Sequence, residues 1–202
     1  DVDEFDLGMA RHRLALFQYF QEMIAQVAAA FPAHTVLVRP HPSENHETWR
    51  QAALGHTNVQ VHIEGHVIPW LLAADAIIHN SCTTGLEGYV LGRPVFSYQP
   101  IISERFDKQL PNAVSCRATT PRELIELIKT AISSGQSANG NSSEAKTRLV
   151  EQYLASLQGP FASENIVNTL ETFDNVFSQS NQNWGTVLAA KSYALGRKLR
   201  RR

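Results

Sequence analysis

Cysteine is nearly missing from this chain: Cys82 and Cys116 are the only two in 202 residues. They cannot build the disulfide framework of a small secreted domain, and their spacing is not that of a zinc site. Charge is sparse as well, with 18% Asp, Glu, Lys and Arg and a net charge of -1 at pH 7. A chain so balanced lacks the basic excess of a nucleic-acid-binding domain and the high net charge of a disordered one. No run of about twenty apolar residues occurs, so no membrane-spanning helix is expected, and the opening residues do not have the pattern of a signal peptide. No internal repeat is present. What is there, 43% hydrophobic residues, is the composition of a soluble α/β protein long enough to bury a sizeable core. A reducing cytoplasm is the expected compartment. The opening DVDEFD, without Met, is read as the start of a fragment in an interdomain linker.

Hydrophobic periodicity predicts helices and strands in alternation. Met9 to Ala30 places Leu14, Phe17, Phe20, Ile24 and Val27 at near-helical spacing and ends before Pro32. A strand at Thr35 to Val38, a short helix at His46 to Leu54, a strand at Val59 to Ile63 and a brief helix at Pro69 to Ala73 follow. Pro121 to Ile132 reads as a helix with Thr120 as its cap and Glu123 completing a capping box. This succession predicts a Rossmann-like parallel sheet flanked by helices over residues 1–133. Residues 134–143 read as a flexible polar linker. Extra C-terminal helices are expected over 144–180, at Glu144 to Leu157 and at Ser163 to Phe177. The second has Ser163 as cap and Ile166, Leu170 and Phe173 facing inward.

The stretch from Ile77 to Pro100 encodes a strand, a hydroxyl-rich turn, a helix and a second strand. Ala76, Ile77 and Ile78 suit a buried parallel strand, and His79 to Thr84 break the pattern. Ser81, Thr83 and Thr84 suit a helix cap, and Gly85 keeps the backbone accessible where that helix begins. A helix start offers free N–H groups and partial positive charge, so a phosphate fits there with help from the hydroxyls. Glu87 stands three residues after Thr84. That spacing suits a capping box, and it equally suits a carboxylate that accepts from a ribose diol. Gly92 ends the helix and Pro94 to Phe96 begin the next strand.

The other informative stretch is Thr35 to Glu44, in which a β-branched strand runs into Arg39-Pro40-His41-Pro42. Ligands of doubly wound sheets bind at strand ends. The prolines restrict the backbone on both sides of His41, so its imidazole is suited to bonding a phosphate oxygen or a leaving group. Arg39 is a second candidate anion ligand. The competing reading makes Arg39 and His41 ordinary turn residues. Elsewhere, His62, Glu64 and His66 alternate near a strand end but lack a fourth metal ligand, so no metal is expected. Cys82 is read as a small buried side chain, Asp75 as a turn former, and His79 as a residue pointing to the site. Glu104, Arg105, Asp107 and Lys108 are read as a solvated loop of mixed charge.

Taken together, RPHPSE and GHVIPWLLAADAIIHNSCTTGLEGYVLGRPVFSY resemble the C-terminal, nucleotide-binding half of GT-B glycosyltransferases. The resemblance is greatest to bacterial surface (capsule and O-antigen) carbohydrate biosynthesis proteins of the kind that use CMP-activated Kdo, a 3-deoxy sugar acid. It covers roughly residues 17–129. It implies a donor-phosphate role for His41 and Pro42, a phosphate-facing turn at Ser81, Thr83 and Thr84, and a ribose contact for Glu87. Gly65, His66, Val67 and Ile68 match the loop that packs against the nucleobase through backbone groups. The implied activity is transfer of a sugar from a nucleotide donor to a growing surface polysaccharide, with no cofactor besides that donor. The acceptor site and, in most such enzymes, the catalytic carboxylate belong to an N-terminal half with no counterpart in this sequence. Two alternatives stay open: a UDP-sugar epimerase of similar fold, and a non-catalytic nucleotide-binding or membrane-docking module.

The segment 181–202 differs in charge from everything before it. From Trp184 onward it holds six basic residues and no acid, a charge of +6 against -7 for the rest. Trp184, Val187, Leu188, Tyr193, Leu195 and Leu199 would give it an apolar side. A basic amphipathic helix of this kind can lie on an anionic inner membrane beside lipid-linked glycan acceptors. A solvated tail is the competing reading.

Overall fold

Asp3 accepts a hydrogen bond from the Phe5 amide at 3.3 Å and so caps a long first helix. A computed structural model describes residues 3–134, 144–155, 157 and 159–179, with 173–179 described by backbone alone. The linker expected at 134–143, apart from Ser134, and the basic tail expected at 181–202 lie outside the described residues. The elements run α1 (Glu4–Ala30), β1 (Val36–Val38), α2 (His46–Ala53), β2 (Val59–Val61), α3 (Val67–Ala73), β3 (Ile77–His79) and α4 (Thr83–Val90). They continue with β4 (Val95–Tyr98), α5 (Gln109–Val114), β5 (Cys116–Ala118), α6 (Pro121–Ser134), α7 (Glu144–Tyr153) and α8 (Ala162–Gln179). The chain divides into two compact units, Asp1–Val150 and Glu151–Arg202.

The first unit is an α/β fold of Rossmann-like kind with two small parallel sheets. One pairs β1 with β2, and the other has the order β3-β4-β5. The chain builds one sheet outward from β1 and the other outward from β3. Val36 of β1 and Ile78 of β3 pack against the same core cluster. Ligands of doubly wound α/β folds bind outside the carboxyl ends of such parallel strands.

Alternation along the strands decides which chemistry each face receives. Phe96 and Tyr98 of β4 join Met23 and Val27 of α1, Phe31 at its C-cap, and Leu124 and Ile128 of α6 in one core. Ile77 and Val95 point the other way, onto Leu71 of α3. His79 and Ser97, in register across β3 and β4, share the face of Ile77 and Val95. All four residues of β4 are buried, as the central strand of a covered sheet requires. A separate cluster joins Ile24 and Ala28 of α1 to Trp49 of α2 and Val59 of β2.

Several expectations need correction. α1 starts earlier than Met9, and its Leu14 is exposed rather than inward. His79 still belongs to β3. α5 and β5 were not foreseen. Asp107, expected in a solvated loop, is buried: its carboxylate pairs with His12 Nε2 at 2.8 Å and accepts from the Ser103 amide at 2.7 Å. α6 does carry its cap, with the Glu123 amide donating to Thr120 Oγ1 at 3.2 Å and the Glu123 carboxylate accepting from the Thr119 amide at 2.8 Å. α7 buries Val150, and Lys146 donates to the Ser115 carbonyl at 3.4 Å. In the second unit Ser163 lies inside α8 rather than capping it, and Ile166 and Leu170 are exposed rather than inward.

Candidate functional site

The turn after β1 is a closed loop built on Glu44. Its Oε2 accepts from the His41 amide at 3.1 Å and from Trp49 Nε1 at 2.9 Å, while its own amide donates to the His41 carbonyl at 2.9 Å. Trp49 is buried, so its indole N–H needs that partner. The His41 ring is exposed, and its tautomer follows from its neighbours. The Ser43 amide can only donate, and it donates to His41 Nδ1 at 3.2 Å; Ser43 Oγ lies 2.7 Å from the same atom. Nδ1 of the neutral ring is therefore the acceptor, and Nε2 carries the proton. That N–H has no protein partner among the described residues. Pro42 stiffens the turn between His41 and Ser43.

Arg39, at the end of the same strand, donates to the carbonyls of Glu64 and Gly65 at 3.0 and 2.9 Å and lies over the Trp70 ring at 5.4 Å. It thus pins the loop that leads into α3. His62 lies against the same indole, ring centroids 5.0 Å apart. Gly65 adopts φ +78, which bends the chain into α3; His66 then stands at the N-cap, with Val67 and Ile68 in the first turn. With two of its carbonyls held by Arg39, this loop keeps its amides and its later backbone for any ligand.

The hydroxyl turn after β3 is organised from below. Ser81 has φ +51, a conformation that serine rarely adopts. Asn112 of α5 holds it there: Oδ1 accepts from the Ser81 amide at 2.8 Å and Nδ2 donates to Ser81 Oγ at 3.1 Å. Asn112 Oδ1 also accepts from Ser97 Oγ at 2.8 Å, and Ser97 Oγ accepts from Gln99 Nε2 at 2.7 Å. Asn80 donates to the Tyr98 carbonyl at 2.8 Å.

α4 follows directly, and its cap is Cys82 rather than Ser81, Thr83 or Thr84. Cys82 makes no side-chain cap bond; the Gly85 amide donates to the Cys82 carbonyl at 3.0 Å, which leaves the Thr83 and Thr84 amides without a partner among the described residues. Thr83 is exposed in the first turn, and Thr84 Oγ1 accepts from Cys82 Sγ at 3.2 Å. Glu87 forms no capping box. Its half-buried carboxylate has no hydrogen-bond or ion-pair partner among the described residues.

Gly85 serves packing rather than access. It is buried, and a Cβ there would overlap the His79 imidazole. A Cβ on Gly88 would come within 2.6 Å of Ile77 Cδ1. The pair lets α4 lie directly on β3 and β4, as close helix–strand packing requires. His79 points into the fold and not to solvent. Ser115 Oγ donates to the Pro111 carbonyl at 2.8 Å, so the 2.7 Å contact between His79 Nε2 and Ser115 Oγ has the imidazole as donor. Burial lowers the His79 pKa to about 4, and the ring is neutral at pH 7.

The strand ends thus bring together Arg39 with the 64–65 loop, and Ser81 with Asn112, Ser97 and Gln99. No hydrogen bond joins the His41 turn to the Ser81 turn among the described residues. Among those residues no three His, Cys, Asp or Glu side chains gather as metal ligands, and no helix is long and apolar enough to cross a membrane. Glu44, Asn112, Ser97, Gln99 and Ser115 carried no sequence signal as site residues. A polar residue alternating with buried neighbours in β4 was the one legible hint for Ser97. The fold is that of an α/β protein with polar turns at the ends of its parallel strands. Comparison of the chain with family models, with curated proteins and with solved structures returns no match.

Proposed function

We propose that this chain is the donor-binding half of a GT-B glycosyltransferase acting in bacterial surface polysaccharide synthesis, with a nucleotide-linked sugar, by resemblance a CMP-linked 3-deoxy sugar acid, as donor. One observation carries the reading. The turns that end β1 and β3 each present a hydrogen-bond donor that no group among the described residues uses: Nε2–H of His41 and the hydroxyl hydrogen of Ser81.

In this mechanism the nucleotide phosphate gains charge as the glycosidic bond breaks. His41 donates to a phosphate oxygen, and the uncapped start of α4, with Ser81, Thr83 and Thr84, supplies positive potential at the same oxygens. Glu87 accepts from the ribose hydroxyls, and the 65–68 loop faces the base. The residues that bind the acceptor and activate its hydroxyl come from a second half. The work takes place on the cytoplasmic side of the inner membrane, where lipid-linked acceptors are held.

Isothermal titration with CMP, CDP, UDP and GDP tests this reading. Selective CMP binding is expected, weakened about tenfold or more by His41→Ala and by Glu87→Ala, the loss that follows from removing one hydrogen bond at a charged or polar ligand. A preference for UDP redirects the donor assignment, and no binding by any nucleotide refutes the reading.

A further inference from the structure

The polar side chains behind the Ser81 turn form a chain of hydrogen bonds whose direction is settled by its ends. The Ser81 amide can only donate, so the Asn112 atom facing it is Oδ1 and the atom facing Ser81 Oγ is Nδ2. Ser97 must then donate to Asn112 Oδ1, and Gln99 Nε2 donates to Ser97 Oγ. Ser97 and Gln99 are buried. Every step runs the same way, from Gln99 through Ser97 to Asn112 and from Asn112 to Ser81. Ser81 Oγ is occupied as an acceptor, and its hydrogen has no acceptor among the described residues. A polarised chain that ends in a free O–H offers a strengthened donor, and its strongest acceptor is a negatively charged oxygen.

We infer that Asn112 is a positioning residue that turns the Ser81 hydroxyl outward as an anion donor, so that the affinity this turn adds is for phosphate oxygens and not for the nucleoside. The inference takes its nucleotide from the proposed function; that the turn presents a donor follows from the hydrogen-bond directions. Asn112 touches no ligand in this scheme. Its backbone bond to Ser81 also keeps that residue in its unusual conformation, so one side chain fixes both the turn and the hydroxyl.

The experiment is titration of the full chain with CMP, cytidine and inorganic phosphate, on the parent protein and on Asn112→Ala, Asn112→Asp and Ser97→Ala. Asn112→Asp offers an acceptor in place of Nδ2 and draws the Ser81 hydroxyl inward; Asn112→Ala removes the chain without adding charge. Both are expected to weaken CMP and phosphate about tenfold, which is about 1.4 kcal/mol, and to leave cytidine unchanged. Ser97→Ala is expected to weaken the same two ligands about threefold. A merely structural role would lower CMP and cytidine affinity alike, and that result overturns the inference. So does an unchanged CMP-to-cytidine ratio. Should the Asn112 variants not fold, Ser97→Ala decides by the same ratio. If the parent protein ignores CMP but binds phosphate in an Asn112-dependent way, the nucleotide reading fails and the inference stands; if it binds neither, both fall.

Discussion

His79 is where burial changes the chemistry of a single side chain most. Its ring lies under Gly85, donates to Ser115, and has no partner for Nδ1 among the described residues. Protonation would place a positive charge in that apolar setting, so the folded pKa is lowered from 6.5 to about 4 by desolvation. A depressed histidine pKa means that between these values the unfolded chain binds the extra proton, and stability falls as pH falls. The loss begins near pH 6.5 and levels off below pH 4, and for this shift it amounts to roughly 3 kcal/mol. Urea unfolding at pH 7 and pH 4 should show that loss in the parent protein and a much smaller one in His79→Gln. An equal pH dependence in both would assign the acid sensitivity to other groups. The His41 imidazole, by contrast, is exposed, so the histidines that follow β1 and end β3 sit in opposite environments.

At the scale of elements, α4 depends on two glycines. Helix interiors disfavour glycine, yet here the absent Cβ atoms let the helix axis approach the sheet. Gly85→Ala should cost roughly 2–3 kcal/mol, because the added methyl meets a ring that Ser115 holds in place. His79→Ala removes that ring. In a double-mutant cycle followed by denaturant unfolding, the alanine at 85 should cost at least about 1 kcal/mol less when His79 is already absent. Additive effects would mean that α4 is limited by something else. The helix, its turn and the strand were legible from hydrophobic runs and turn residues, which are local signals. α5 and β5 were not, since α5 holds Pro111 and Asn112 within six residues and β5 places Arg117 between Cys116 and Ala118, so neither shows an apolar run or period. Glu87 with Thr84 had the spacing of a capping box, but the helix is capped at Cys82, two residues too soon for that box to form.

For the whole first unit the organising element is α1. One side of its C-terminal half reaches both sheets: Met23 and Val27 join the β4 core, while Ile24 and Ala28 join Trp49 and Val59. Phe20 packs against both clusters and meets Tyr98 edge-on at 5.4 Å. The two sheets should therefore open together. In native-state hydrogen exchange, amides of Val36–Val38 and Val95–Tyr98 are expected to report opening energies within about 1 kcal/mol of each other. Phe20→Ala should lower both by a similar amount, roughly 1–3 kcal/mol for a half-buried ring. A change confined to one sheet would show that they fold apart.

Alternating helices and strands, a parallel sheet, and two turns rich in ligand-type residues could all be read from the order of amino acids, because each rests on neighbours within a few positions. The roles inside those turns could not. Ser81 is held by a residue 31 positions away, and His79 is neutralised by burial and bonded to a serine 36 positions away. Local propensity carries no information about such partners. Packing brought them together, and with that it set which side chain holds the Ser81 turn, which histidine stays neutral, and why a helix that begins beside a buried ring must have glycine in its first turn.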